Sequence, residues 1–530
     1  MTVAAKRRPG SPAARQRPGG RRLVTAEQLG VLALGLLVLV VHDVGYVLGQ
    51  PFWTDEAWVA VTARFPLSQL LATTSSTPVG WSALARVFTA GGDQAARLLP
   101  LAFAGAAVII AYWLARRLGW QWKAASVGAG LLAALGVLLV PAMLVRDDLK
   151  QYTADACMAL AVLALTAAAE RDRARRRLAA LSVAVWGGML VSHAVAFAGV
   201  AAFGALCATA LARRDWRALA AAAVAGTATG ALMAGVYLAF DARAVVPGLT
   251  TYWQAYYLPS GRGLHAAAAF VTAHFSAAAA SFGLGPVWLA VPLVAAGLIT
   301  IFRLGSPATA IAAAALWPEM LALSAARKYP FLDLRTSTFL FAVTVVVAAI
   351  GVAGLCCLLR PLLRGALAAG LAAAAAVAFS AAAAPQVRVH PIPTEDVRDQ
   401  ARYVAAHAAS GDAIVVNLNS NWGFAYYWPD GRPARRANPA VLQGYEAYFP
   451  GQPRIIVAAG RTAAGVTAAL ARALTLARAH GCSRIWLVRA HLAPPERAAW
   501  HAALHQRGLS ARPAGRHGLA FVQPGRPQCR

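Results

Sequence analysis

The sequence predicts an α-helical polytopic membrane protein of about eleven transmembrane helices, followed by a C-terminal extracytoplasmic α/β domain. Three observations predict it. Apolar runs of about 20 residues recur from Leu29 to Ala384, each long enough to cross ~30 Å of hydrocarbon. Clusters of Lys and Arg fall between alternate runs, and after Ala384 the pattern changes to short apolar strands separated by amphipathic helices. The 530 residues are 59% hydrophobic and 13% charged, where a soluble chain carries about 25% charged residues. A soluble protein is excluded.

In chain order, residues 1–25 form a Pro/Gly-rich tail carrying Lys6, Arg7, Arg8, Arg15, Arg17, Arg21 and Arg22, expected to be disordered and cytoplasmic. Leu29–Leu48 is long and lacks a small-residue cleavage site, so it reads as a retained signal anchor. The spans are expected near 29–48, 95–115, 124–145, 153–169, 178–193, 195–212, 218–240, 281–302, 307–325, 336–358 and 365–384, with 178–193 and 195–212 short enough to leave a re-entrant hairpin open. Placing Arg116-Arg117 with Lys123, Arg171–Arg177, Arg213–Arg217, Arg303, and Arg360 with Arg364 in the cytoplasm, as basic clusters favour, puts 21 Lys/Arg inside and leaves 10 on the outer side of the membrane domain, 26–384. The net charge of +28 is therefore read first as a topology signal, and no nucleic-acid partner is expected. The chain is expected in the cytoplasmic membrane, amino terminus inside and residues 385–530 outside.

Two outer loops are long. Residues 49–94 contain Trp53-Thr54-Asp55-Glu56 and an amphipathic stretch, Val79–Phe88, expected along the interface. Residues 241–280 contain Tyr252-Trp253 and Tyr256-Tyr257, read as a headgroup-level aromatic belt. In the terminal domain, Thr394 is expected to cap a helix running to about Ala409. Ala413–Asn417, Arg454–Ala458 and Arg484–Arg489 read as strands, and Ala463–His480 and Pro495–Gln506 as helices. That alternation predicts a largely parallel sheet. Cys157, Cys207, Cys356 and Cys357 fall in apolar runs and read as small hydrophobes, while Cys482 and Cys529 are candidates to pair if the domain is outside.

Three charged groups share the outer side: Asp55-Glu56; Arg146-Asp147-Asp148-Leu149-Lys150-Gln151-Tyr152; and Arg327-Lys328-Tyr329-Pro330-Phe331 through Arg335. Adjacent carboxylates at a bilayer surface are costly and anchor nothing, which points to general-base chemistry or metal binding. Taken singly, a cluster of this kind is equally an ion-pair brace at helix ends. Together, carboxylates with Arg and Lys from two other loops suit a ligand bearing a phosphate and a reactive hydroxyl, since Arg forks onto phosphate oxygens, Lys acts as a point charge and a carboxylate takes a proton. A lipid phosphate carrying a sugar has that chemistry. His193 reads more readily as a hydrogen-bonded helix-end histidine than as a catalytic one.

These motifs resemble the multispanning GT-C glycosyltransferases, in particular the RgtA/B/C/D-like and PMT-like bacterial branch. The resemblance rests on Trp53-Thr54-Asp55-Glu56-Ala57, Arg97, Arg116-Arg117, Asp148-Leu149-Lys150-Gln151-Tyr152, Ser192-His193, and Tyr329-Pro330-Phe331 with Arg335, across about residues 25–385. It implies a GT-C-like fold and a hexosyl- or pentosyltransferase of the cell envelope that takes a polyprenyl-phosphate sugar on the outer face. The acceptor is a glycan, lipid or protein. Asp55 is implied as catalytic base and Glu56 as helper or second base. Arg146, Asp148, Lys150, Gln151, Tyr152, Arg327, Lys328, Tyr329 and Arg335 are the substrate-binding candidates. No metal ligand or cofactor is assigned, and a divalent cation is left open. The sequence departs from the family at Asp148, where Glu is frequent, and at Thr77-Pro78, which stands for Pro-Pro. The competing readings are a transporter or lipid flippase, whose working residues belong nearer mid-bilayer, and a non-catalytic membrane scaffold whose terminal domain, with 18 Arg and 7 acidic residues, binds anionic polymer.

Overall fold

The computed structural model describes residues 25–74, 77–141, 144, 149–172, 175–242, 248–359, 365–388, 396–429, 432–438, 441–514 and 518–525. Helices occupy each of the eleven expected membrane segments. Among the described residues, seven helices are long and apolar enough to cross a bilayer: Gly92–Arg116, Tyr152–Asp172, Ala194–Ala212, Trp216–Asp241, Pro307–Ala325, Thr338–Leu359 and Ala369–Val387. Ala26–Val41, Lys123–Leu138 and Val287–Arg303 are shorter apolar helices. The chain is a multi-pass membrane protein.

Small residues set how closely these helices pack. A Cβ at Gly297 would run into the Val347 carbonyl, and one at Gly351 into the Leu293 carbonyl. The Val287–Arg303 and Thr338–Leu359 helices therefore meet backbone to backbone, as small residues allow in lipid. The first apolar segment is broken rather than continuous. Asp43 takes a left-handed conformation (φ 47°) and accepts from the Tyr46 amide at 3.2 Å, starting a new helix at Val44. Beside the break, the His42 ring lies 3.0 Å from the Leu138 carbonyl. One segment differs from expectation: residues 241–280, expected as a loop, contain a full helix, Gly263–Ser281. The amphipathic stretch is the helix Val79–Thr89, and one face of it packs on the protein: Trp81 is fully buried and donates to the Leu149 carbonyl at 2.9 Å.

The terminal domain is α/β. Its strands are β1 (Ala413–Val416), β2 (Ala434–Ala437), β3 (Tyr445–Tyr448), β4 (Ile455–Val457), β5 (Ile485–Val488), β6 (Ala511–Pro513) and β7 (Ala520–Val522). The main sheet has the order β4-β1-β5-β7-β6, and β2 pairs with β3 as a separate ribbon. β1 runs parallel to β4 and β5, while β7 and β6 add antiparallel strands. The three expected strands are thus the parallel ones, and the antiparallel edge was not foreseen. Asp396 caps the first helix, Val397–His407, by accepting from the Asp399 amide at 2.7 Å. Thr394, expected as the cap, lies outside the described residues, as does Cys529. Cys482 is disulfide-bonded.

Strand alternation gives this sheet two buried faces. Ala413 and Val415 pack with the Ala463–Ala479 and Pro494–Gln506 helices. Ile414 and Val416 point the other way, into a cluster that also contains Phe52, Trp58, Val61 and Phe65 of the loop that follows the first apolar segment. The terminal domain and that loop therefore share one apolar core. Polar contacts fix the register between them. Tyr427 donates to Asp93 at 3.0 Å and accepts from the Phe52 amide at 2.8 Å. Arg398 pairs with Asp93 at 3.1 Å and donates to the Gly49 carbonyl at 3.0 Å. The hydroxyls of Thr62 and Tyr445 lie 2.7 Å apart.

Candidate active site

The site begins with a short helix, Thr54–Arg64, whose first turn carries both acidic residues. Successive residues on a helix diverge by about 100°, so Asp55 and Glu56 face different surroundings. Glu56 is 1% exposed. Its two oxygens accept from Arg97 Nε at 2.8 Å and a terminal guanidinium nitrogen at 2.6 Å, and Oε2 also accepts from the Trp53 amide at 3.3 Å, within the first turn of its own helix. Arg97 spends its remaining donors on the carbonyls of Val47, Gln50 and Pro51. This buried bidentate pair ties the helix start to the Gly92–Arg116 span and to the end of the first segment.

Asp55 turns toward the other two charged groups. Arg335 donates to Asp55 Oδ2 at 3.1 Å, and Lys150 Nζ stands 3.5 Å from the same oxygen. The side chains keep only 19% (Asp55), 9% (Lys150) and 13% (Arg335) of their exposure. Burial opposes the ionised form of Asp55, but the charges of Lys150 and Arg335 outweigh it and hold the carboxyl below its ordinary range. Lys150 is set over the Trp58 ring at 4.8 Å. It is positioned by Leu149, whose carbonyl receives Trp81, and by the Tyr152–Asp172 helix that starts two residues later. Arg335 is positioned by Asp333, whose Oδ2 accepts from the Arg335 and Thr336 amides at 3.1 and 2.9 Å. Its second nitrogen donates to the Tyr252 hydroxyl at 2.9 Å, and its guanidinium lies 5.6 Å from the Trp253 ring. One carboxylate, two cations and a phenol from four separate segments thus converge. The arrangement can accept a proton at Asp55 and present two cations to an anionic group.

No protein-family model matches the chain, and no curated protein sequence matches it. Solved structures do. ArnT from Cupriavidus metallidurans, bound to undecaprenyl phosphate, aligns over 94% of this chain and 98% of its own at 14% identity, with a TM-score of 0.53. The Archaeoglobus fulgidus oligosaccharyltransferase in the apo form aligns over 86% of this chain and 69% of its own at 12% identity, TM-score 0.52. The chain has a GT-C-like fold. Within this architecture, the sequence-derived candidates sort by position. Asp55, Lys150 and Arg335 meet. Tyr329 lies behind them, donating to the Thr336 carbonyl at 2.9 Å and packing edge-on to Phe197. Gln151 and Tyr152 are buried at the start of their helix. Arg327 and Lys328 are exposed and form no ion pair with a described residue, so the contacts do not bring them to Asp55. Arg146 and Asp148 lie outside the described residues. Ser192 and His193 belong to a neighbouring polar cluster: Ser192 donates to Asp155 at 2.6 Å, and His193 stands 3.6 Å from Asp241.

Tyr252 and Trp253, read from the sequence as a headgroup-level aromatic belt, both also contact Arg335. Their aromatic spacing carried no signal for that contact. The sequence marks Arg97 only as a motif residue, and its pairing with Glu56 emerges from the structure. An arginine near a span end together with a nearby unpaired acid was the available signal. Among the described residues there is no group of three or more His, Cys, Asp or Glu arranged to hold a metal ion.

Proposed function

We propose that this chain is a glycosyltransferase that moves a hexosyl or pentosyl group from a polyprenyl-phosphate donor to an acceptor hydroxyl on the outer face of the cytoplasmic membrane, with Asp55 as general base. The observation that carries the reading is Asp55 held between Lys150 and Arg335, which come from two other segments of the chain. The lipid carried by ArnT, undecaprenyl phosphate, supports the donor class.

The proposed step is an inverting displacement. The acceptor oxygen bonds to the anomeric carbon as its proton passes to the Asp55 carboxylate. The bond from the anomeric carbon to the phosphate oxygen breaks, and its electron pair leaves with the lipid phosphate. Phosphate departs without being protonated, so one carboxylate is enough, whereas glycoside hydrolysis ordinarily uses two. Lys150 and Arg335 are assigned to the charge that grows on the departing phosphate. Glu56, with both oxygens on Arg97, is assigned to anchoring the Asp55 helix rather than to proton transfer. Arg327 and Lys328 are assigned to attracting the lipid phosphate from the exposed rim.

Proteoliposomes containing the protein, supplied with a panel of polyprenyl-phosphate sugars and envelope extract as acceptor, test this reading. It expects release of lipid phosphate matched by a new glycosylated product. Movement of intact donor across the bilayer without bond cleavage would establish the transporter reading instead.

A further inference from the structure

The parallel part of the terminal sheet has a topological switch point. The connection from β1 to β4 crosses the face that packs on the loop after the first apolar segment, with Trp422, Phe424 and Tyr445 in that cluster. The connection from β4 to β5 and the one after β5 cross the opposite face, where the Ala463–Ala479 and Pro494–Gln506 helices pack. Connections that part to opposite faces leave a crevice beyond the carboxyl ends of the strands, where open α/β sheets bind ligands.

At that edge Asn417 follows β1 and Asn419 lies two residues on. Asn419 is 2% exposed. Its amide donates to the His491 carbonyl at 3.1 Å, and its Oδ1 accepts from Arg461. His491 follows β5 in a left-handed conformation (φ 52°), Arg461 follows β4, and both side chains are exposed. The edge opens onto the membrane domain. The His491 ring lies 6.0 Å from the half-buried Trp53 ring, and Thr54 Oγ1 reaches the Asn419 carbonyl at 3.5 Å. Asp55 is the next residue in the chain.

Resting on the reading of Asp55 as base, we propose that this edge, with Arg461, His491 and Asn419 facing Trp53, is the acceptor subsite, and that it takes a hydroxyl-rich saccharide. A guanidinium and an imidazole are hydrogen-bonding groups of the kind that recognises hydroxyls. The half-buried Trp53 indole suits the C–H face of a sugar ring. Among the described residues, the carboxylate beside this edge is Glu496, which is buried and accepts from Asn417 at 3.2 Å. The subsite places a bound hydroxyl beside the helix that begins at Thr54.

Saturation-transfer NMR on the full chain in detergent micelles tests binding without requiring turnover, using mannohexaose, maltohexaose and an arabinofuranose hexasaccharide, with a Ser/Thr-rich peptide as contrast. Signal from at least one saccharide is expected, weakened about tenfold in apparent affinity by Arg461→Ala and by His491→Ala. Arg472→Ala, on the exposed side of the Ala463–Ala479 helix, should leave it unchanged and controls for folding. Saccharide signal that survives both edge variants, signal from the peptide alone, or no signal from any probe overturns the subsite. If the protein binds saccharide but never cleaves a lipid-phosphate sugar, the subsite stands and the transferase reading fails.

Discussion

Arg335 reaches 280 positions along the chain to hold Asp55, donating to its Oδ2 at 3.1 Å. Lys150 closes on the same oxygen from a third segment. A carboxylate so placed is ionised before any substrate arrives. A donor phosphate that draws the two cations toward itself would leave that carboxylate freer to take a proton.

The pH dependence follows in sign. Asp55 is held below the ordinary aspartate range, so its proton-accepting form persists through neutral and mildly acid pH and is lost only as pH falls through the lowered value. Arg335→Ala removes one of the two charges that lower it. The acid limb of kcat/KM should then move to higher pH, and an unmoved limb would mean that Asp55 does not set it.

Donor and acceptor constants should separate. Lys150→Ala and Arg335→Ala each remove a charge-assisted contact to phosphate, for a loss of about tenfold or more in kcat/KM for donor. Acceptor KM should stay close to wild type. Steady-state kinetics with each substrate varied in turn checks this, and an effect confined to the acceptor would move these residues away from the phosphate.

The Glu56–Arg97 pair should govern stability more than chemistry. Arg97→Ala leaves a buried carboxylate without its partner, a change that costs about 3–5 kcal/mol in comparable settings. Thermal unfolding in micelles should show a large fall in midpoint, with Glu56→Gln milder because the side chain keeps its shape.

How much of this was legible in the sequence depends on the range of the signal. Span positions follow from local hydropathy, and the parallel strands from short β-branched runs such as Ala413–Val416, so both were readable. The meeting of Asp55, Lys150 and Arg335 was suggested by their placement on one side of the membrane domain. The docking of the terminal domain was not readable. Phe52, Thr62 and Arg64 have partners at Tyr427, Tyr445 and Tyr426, and nothing local to either segment encodes such a match. Likewise, adjacency in sequence made Asp55 and Glu56 look like one functional pair, whereas the helical turn sends them to different partners.

That docking yields its own prediction. Tyr445→Phe and Tyr427→Phe each delete a hydroxyl that bridges the terminal domain to the loop after the first apolar segment, at about 1 kcal/mol per bond. Hydrogen exchange should quicken in the Thr54–Arg64 helix while the Thr338–Leu359 span stays protected. Unchanged exchange at Thr54–Arg64 would show that the terminal domain does not brace the helix carrying Asp55.

The most direct test of the central claim is transfer by Asp55→Asn protein in proteoliposomes. The substitution keeps the side chain's size and removes the proton-accepting charge. With insertion and folding matched to wild type, the account predicts a loss of about 100-fold or more, the scale of general-base catalysis. Transfer at the wild-type rate would contradict it.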